Sequence, residues 1–294
     1  MVLATFLFAS MGVCVKLASS LYGTGEIVFY RGLMGALMLF MVSRVRRGTL
    51  VTPVPGMHFW RSLTGATAVC MWFYAIGGLP LATAMTLNYM SSVWMALFLI
   101  GGAVALGTTR VNGKAVATVL LGFAGVVLVL RPTMDHNQLW HGVVCLISGM
   151  IAATAYLQVT ALGRAGEPEY RTVFYFSLSN MVAGGLIALM TSGFHVHTWK
   201  GAALLAAVGL LATSAQWLMT RAYATGRTLV NASLQYLGIA FAFGYGVLLF
   251  DDPVTWMALA GMVLIVGAGV AATSLRTKVT QQTGTTSTMT MTES

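Results

Sequence analysis

Lys16 and Arg31 are basic residues that lie inside long apolar runs of the sequence. Ionisable side chains are costly within a bilayer, so residues of this kind are candidates for function. A cation beside an internal cavity would favour a carboxylate or phosphate on a bound substrate. A structural role is also open, because each side chain can extend toward the nearer membrane surface and Glu26 could pair with either of them.

Uncharged polar and aromatic side chains form a second group of candidates. Asn88 and Ser92 are spaced to share one helical face, which Tyr89 and Trp94 flank. Asparagine and glutamine at membrane depth need partners because lipid offers none, so they either bond between helices or line a central cavity. The residues that we expect at a substrate-binding cavity are Lys16, Arg31, Tyr74, Asn88, Tyr89, Ser92, Trp94, Tyr156, Gln158, Gln216, Trp217, Gln235 and Tyr236.

The acidic and histidine residues indicate which chemistry to exclude. None of the seven acidic residues falls at the predicted centre of an apolar run, so the sequence shows no buried proton relay and no convergent catalytic set. We therefore predict no enzyme activity, no catalytic residues and no cofactor. Histidines at predicted outer ends or loops could chelate zinc, but their spacing is loose and we predict no metal site. These residues are His136, His141, His195 and His197, together with Asp135.

The composition requires an apolar solvent around the chain. Of its 294 residues, 57% are hydrophobic and only 8% are charged, whereas a soluble domain has about 25% charged residues. Apolar runs near 20 residues fit a bilayer core of about 30 Å. We predict an all-α polytopic membrane protein with ten spans, at 2–20, 26–43, 59–78, 81–103, 114–130, 139–161, 171–191, 200–222, 229–249 and 254–275.

The basic residues indicate the orientation of these spans. With ten spans, 12 of the 16 lysines and arginines flank the even-to-odd connections or follow the last span. The opposite side has only Arg131 and Lys200. Because cytoplasmic loops are enriched in basic residues, we predict a multi-pass protein of the cell inner membrane with both termini in the cytoplasm. The net charge of +9 thus reflects topology, and we predict no nucleic-acid partner.

The two halves of the chain resemble each other in a common order. Val28-Phe29-Tyr30 matches Val173-Phe174-Tyr175, and Leu87 to Ser91 matches Leu234 to Gly238. A repeat of five spans is inverted in its second copy, which permits two states open to opposite sides of the membrane. We predict repeats at 1–136 and 137–276, followed by a disordered cytoplasmic tail at 277–294.

The chain resembles the drug/metabolite transporter superfamily, in particular its EamA-type ten-helix proteins. The resemblance lies in Glu26 to Arg31, Trp60 to Gly65, Tyr74 to Ala84 and Gly122 to Pro132, and it covers roughly residues 1–276. Among the members, the pattern is most similar to S-adenosylmethionine-type carriers. It departs from the family at Leu106-Gly107-Thr108, where an acid often follows the glycine.

The resemblance and the predicted repeats favour one function. We predict a secondary transporter of a small organic metabolite, such as an amino acid or an amino-acid or nucleoside derivative, that works by alternating access as a monomer or homodimer. Its other partner would be the lipid bilayer. The alternatives are a membrane-embedded enzyme, for which the acids and histidines are badly placed, and a non-transporting scaffold, for which the loops are short.

Overall fold

The protein is described from a computed structural model. The structure describes residues 1–105, 121, 124–125, 128, 136–191, 193–225, 231, 234–252, 255–257, 259–267 and 270. The predicted fifth span and the predicted tail lie mostly or wholly outside this part of the chain. The described residues form α1 (Val2–Ala18), α2 (Thr24–Val45), α3 (Pro55–Gly78), α4 (Leu81–Tyr89), α5 (Ser91–Ala105), α6 (His136–Arg164), α7 (Glu169–Met190), α8 (Trp199–Thr225) and α9 (Leu237–Phe250).

Each described helix overlaps a predicted apolar run, and most bounds differ from the prediction by four residues or fewer, although α9 begins at Leu237 and the ninth run was predicted to begin at 229. Helix α3 begins at Pro55, four residues before the predicted start, because proline is well suited to the first turn of a helix. The predicted fourth span is divided into α4 and α5 at Met90. By length and composition, α2, α7, α8 and residues 138–164 of α6 could each cross a membrane.

Large apolar side chains cover the outside of the helices. Met41 on α2, and Val182 and Leu189 on α7, are each more than half exposed. Such a surface would be unfavourable in water but is suited to contact with lipid chains. The structure therefore agrees with a polytopic all-α membrane protein.

Helices α2 and α7 form the most extensive helix pair of the described part. They run antiparallel, because Gly25 faces Gly184 and Ala188 while Gly32 faces Ser177 and Met181. A Cβ atom on Gly32 would lie 2.6 Å from the carbonyl oxygen of Ser177, so only glycine allows this approach of the two backbones. Helix α1 packs on α8, and α3 packs on α6, on either side of this pair.

The division between α4 and α5 lies in the protein interior. All nine residues of α4 are buried. The N–H groups of Met90 and Val93 bond to carbonyl groups three residues earlier, which tightens the chain locally. Tyr236 is likewise a turn residue that directly precedes α9, and the N–H of Ile239 bonds back to it. Both interruptions fall in the segments that we predicted to correspond, Leu87 to Ser91 and Leu234 to Gly238.

Candidate functional site

Two arginines from neighbouring helices meet at one aromatic ring. The guanidinium carbon of Arg31, on α2, lies 5.0 Å from the ring centroid of Phe176 on α7. The guanidinium carbon of Arg61, on α3, lies 4.1 Å from the same centroid. Both arginines are buried, with 5% and 2% of their surface exposed. The helix pair α2–α7 and helix α3 thus bring two cations together in the interior.

The local sequence of α3 makes room for one of these cations. Gly65 lies one turn after Arg61, and a Cβ atom there would collide with Nη1 of the Arg61 guanidinium. The same atom would lie 2.7 Å from the ring of Phe176. Glycine at this position therefore provides the space in which the guanidinium turns toward Phe176.

Neither guanidinium has a counter-ion among the described residues. Arg31 Nε, Arg61 Nε and Arg61 Nη1 are buried without a hydrogen-bond partner there. An unpaired ion costs several kcal/mol to bury even after the protein relaxes, and contact with an aromatic face returns only about 2 kcal/mol. This arrangement is unfavourable for folding and is therefore a strong candidate for a functional site.

A narrow cavity lies against the two arginines. Its volume is about 40 Å³, which is room for one or two water molecules. Its polar wall includes Asn88 on α4, Tyr156 on α6 and Gln216 on α8, and its apolar wall includes Trp72 and Phe8. The residues around this cavity therefore come from seven of the described helices, α1 to α4 and α6 to α8.

A smaller cavity of about 20 Å³ continues from the first toward the helix interruptions. Asn88 and Tyr156 line both cavities, and Tyr89 and Gln235 line the smaller one. The Ser92 hydroxyl donates to Gln235 Oε1 at 3.3 Å, which joins α5 to the segment before α9. The interruptions at Met90 and Tyr236 thus flank residues that reach the cavity.

The structure brings together about half of the residues that we predicted from sequence. Those lining the two cavities are Arg31, Asn88, Tyr89, Tyr156, Gln216 and Gln235. Ser92 contacts this group through Gln235. The remaining predicted residues line neither cavity: Lys16, Tyr74, Trp94, Gln158, Trp217 and Tyr236.

The residues outside the cavities have other contacts. Tyr74 stacks on His141 at 4.5 Å, and Trp94 lies beside Phe98. Gln158 accepts a hydrogen bond from Thr64, Trp217 lies under the Arg46 guanidinium, and Tyr236 lines an apolar groove.

Lys16 has a structural environment at the end of α1. Its ammonium donates to the carbonyl oxygen of Leu79 at 2.9 Å and lies 3.7 Å from Asp252 Oδ1. Asp252 also accepts a hydrogen bond from the N–H of Leu81 at 3.1 Å. We expected Glu26 to pair with Lys16 or Arg31, but in the structure it pairs with neither.

Glu26 instead holds the connection between α7 and α8. Its side chain is fully buried, and it accepts hydrogen bonds from the N–H of His195 at 3.2 Å and from Nδ1 of His195 at 2.8 Å. His197 Nε2 lies 3.7 Å from the same carboxylate. Within the described residues, no group of three histidine, cysteine or acidic side chains is arranged to hold a metal ion. The side chain of His136 and all of Asp135 lie outside that part.

Glu167 has the corresponding position at the opposite end of the α2–α7 pair. It pairs with Nη1 of Arg171 at 3.0 Å and with Nε2 of His58 at 3.0 Å, and it accepts a hydrogen bond from Thr52. Burial by itself raises the pKa of this carboxyl group, but the bonds from His58, Arg171 and Thr52 outweigh burial, so the pKa lies below its ordinary value of 4.5.

Sequence reasoning missed several residues of the site, among them Arg61, Trp72 and Phe176. We assigned Arg61 to the charged connection before α3 because we predicted that helix to begin at 59. Its position one turn before a glycine, within an apolar run, was the available signal. Trp72 and Phe176 had no such signal, since aromatic side chains are common throughout membrane helices.

A larger groove of about 710 Å³ lies elsewhere, between α9 and residues 259–270. It is almost entirely apolar and includes Phe243, Leu259 and Met262. Among the described residues of this groove only Tyr236 has a polar side-chain group, so the wall suits a lipid chain better than a polar metabolite. The smaller cavity beside the arginines is therefore the better candidate site.

Comparisons with known proteins point to one family, although no family model matches the chain. The Pseudopaline exporter CntI of Pseudomonas aeruginosa strain UCBPP-PA14 is 33% identical over 272 residues, which is 92% of this chain and 93% of that protein. A Riboflavin transporter of Rhizobium johnstonii is 28% identical and covers 76% of this chain and 73% of its own. Solute carrier family 35 member G1 of Homo sapiens is 22% identical over 92% of this chain and 76% of its own.

The fold is also found in a solved structure. A crystal structure of another protein aligns with a TM-score of 0.67 at 17% identity, over 94% of this chain and 96% of the other. At that identity the likeness extends to the fold alone. The relatives by sequence are transporters that align over most of both chains, and the described helices have an apolar exterior around an interior that includes buried polar side chains. The chain belongs to the drug/metabolite transporter superfamily, among its EamA-like members.

Proposed function

We propose that this protein is a secondary transporter that carries a small organic metabolite across the cell inner membrane by alternating access. The substrate would be an amino acid or an amino-acid or nucleoside derivative. The observation that carries the proposal is the internal polar cavity in which Arg31 and Arg61 lack a counter-ion among the described residues. A structural interior would not retain two such charges, whereas a binding site uses them when the substrate arrives.

The proposed mechanism is the rocking of two inverted repeats, 1–136 and 137–276, around the cavity. Two features support it. The α2–α7 pair, one helix from each half, is antiparallel. The interruptions at Met90 and Tyr236 fall within the two segments that we predict to correspond, and their neighbours Tyr89 and Gln235 line the smaller cavity. Interrupted helices at the contact between repeats are common at the substrate sites of such carriers.

Polar contacts join the two proposed repeats at both ends of the bundle. Glu26 with His195 and Lys16 with Asp252 link the halves at one end, and Glu167 with His58 links them at the other. Because a metabolite cannot enter a cavity of about 40 Å³, one end has to separate for loading while the other stays closed. We propose that the contacts at each end of the bundle keep the cavity closed on that side of the membrane.

The decisive experiment is a counterflow screen in proteoliposomes with amino acids, S-adenosylmethionine, nucleosides and riboflavin. For a transported solute, Gln216→Ala should lower the initial rate at least about 10-fold, since a polar contact to substrate is lost. Trp217→Ala is the matched control, because its side chain is next in sequence but lies outside the cavity. Equal rates for the two variants would contradict the proposed site.

Orientation is tested by labelling single cysteines from outside intact cells. Arg46→Cys and Val196→Cys, placed in a protein without its three native cysteines, both change exposed residues. We expect label at position 196 and none at position 46, because the basic connection should face the cytoplasm. Label at both positions would contradict the proposed topology.

A further inference from the structure

We propose that the substrate of this site is an organic dianion, which places one carboxylate or other acidic group on each of Arg31 and Arg61. The inference deepens the proposed transport function and rests on it. It starts from an excess of positive charge that the described residues of the cavity do not balance.

The acidic residues of the described part all lie outside the wall of the cavity, and three of them pair with basic groups elsewhere. Glu26 bonds to His195 at one end, and Glu167 bonds to Arg171 and His58 at the other. Asp252 pairs with Lys16 near the first end. No acidic side chain is among the residues that line the cavity. Two cations therefore face this space, and a substrate with one negative charge would leave one of them unbalanced.

The geometry limits how far apart the two acidic groups can be. Both guanidinium carbons contact the ring of Phe176, at 5.0 and 4.1 Å from its centroid, so they are separated by no more than these distances combined. Each planar guanidinium can donate two parallel hydrogen bonds to one carboxylate. The substrate should therefore have its two acidic groups a few bonds apart, as in a short dicarboxylic acid.

The charge of the two arginines selects against cationic substrates, and no described residue of the wall has a negative charge that would offset it. Asn88, Tyr156 and Gln216 offer uncharged hydrogen-bonding groups, and Trp72 and Phe8 offer aromatic surface. An amino group on the substrate would meet these side chains but no carboxylate. The site is consistent with an amino acid derivative only where its acidic groups outnumber its basic ones.

Thermal unfolding of the purified full-length protein in detergent tests the inference with three probes of one size. Glutarate has two carboxylates, glutaramate has one carboxylate and one amide, and glutaramide has two amides. At matched ionic strength, glutarate should raise the Tm most, glutaramate less and glutaramide least, because binding to the folded state stabilises it. Equal shifts from glutarate and glutaramate would overturn the inference, as would no shift from glutarate.

Substitutions locate the effect. Arg31→Gln and Arg61→Gln should each weaken the apparent Kd of glutarate by about 10- to 100-fold, as expected for the loss of charge-assisted hydrogen bonds. Arg44→Gln is the matched control, since Arg44 lies on the same helix as Arg31 but is exposed. A glutarate shift that is equal in all three variants would indicate a nonspecific ionic effect and would overturn the inference.

The counterflow screen separates this inference from the transport function. Carriage of a neutral or cationic metabolite at a rate unchanged by Arg31→Gln would overturn the dianion inference and leave transport intact. Absence of counterflow for every solute, dicarboxylates included, together with arginine-dependent stabilisation by glutarate, would contradict transport and support the dianion site. Counterflow of a dicarboxylate that both arginine substitutions abolish would support both.

Discussion

Glu167 and Arg61 are buried to a similar degree, yet their surroundings are opposite. Glu167 has an arginine, a histidine and a threonine within hydrogen-bond distance, and it ties the connection between α2 and α3 to the start of α7. Arg61 has an aromatic ring, a glycine and a second arginine. The carboxylate has hydrogen-bond partners within the protein, whereas Nε and Nη1 of the Arg61 guanidinium have none among the described residues. We propose that the substrate supplies them.

Buried charges thus occur in two different arrangements in this membrane protein. At the ends of the α2–α7 pair, opposite charges lie together and join distant segments of the chain. In the middle, like charges lie together beside a cavity. Removing a charge should therefore have opposite effects on stability at the two places.

The largest expected effect is at the end of the pair. Glu167→Gln leaves Arg171 buried and without its carboxylate, which should lower the free energy of unfolding by about 3–5 kcal/mol. The measurement is the Tm of the purified protein in detergent. Glu169→Gln, two residues along the chain at a partly exposed site, is the control and should change stability by less than about 0.5 kcal/mol. Equal Tm values for the two variants would show that the cluster contributes little.

A smaller effect of opposite sign is expected in the middle. Arg61→Met removes an unpaired buried cation and keeps most of the side-chain volume, so it should raise the free energy of unfolding by about 1–3 kcal/mol. The same scans measure it, with Arg44→Met as the control on the surface. A loss of stability similar to that of Glu167→Gln would mean that Arg61 has a stabilising partner in the protein, and the contrast would fail.

The contribution of Glu167 to the stability of the protein should depend on pH. Because the folded-state pKa of this carboxyl is lowered, its contribution is fully present above the ordinary value of 4.5 and is lost as the pH falls through the folded-state pKa. The difference in stability between the wild type and Glu167→Gln should shrink as the pH falls below about 4.5, by at most about 1.4 kcal/mol per pH unit. A difference that grows in this acidic range would have the wrong sign for this mechanism.

The smallest effect should come from Lys16 and Asp252, a partly exposed pair 3.7 Å apart. A double-mutant cycle with Lys16→Met and Asp252→Asn should give a coupling energy of about 0.5–1 kcal/mol. Lys16→Met should also leave the apparent Kd of glutarate within about twofold of the wild-type value, because the ammonium lies outside the cavity. A loss of affinity as large as that of Arg31→Gln would return Lys16 to the substrate site.

The repeat predicted from sequence relates Arg31 to Phe176. The register that aligns Val28-Phe29-Tyr30 with Val173-Phe174-Tyr175 places Phe176 at the position that corresponds to Arg31. In the structure these two side chains are in contact. The two cations without a counter-ion among the described residues both lie in the first of the proposed halves.

The sequence alone determined the class of the protein and the course of most described helices. Composition required lipid as the solvent, and apolar runs of about 20 residues located the spans, because both depend only on which residues are neighbours along the chain. The family followed from short motifs. Six of the residues that line the two cavities could also be predicted, since a polar side chain such as Asn88 inside an apolar run needs a partner.

Only the tertiary structure decided which buried charges have partners. Lys16 and Arg31 look alike in sequence, but Asp252 comes from 236 positions away to meet Lys16. Arg31 meets Arg61 and a ring from α7 instead. Pairing depends on the distances between helices that are far apart in the chain, and the sequence next to a charged residue does not determine those distances.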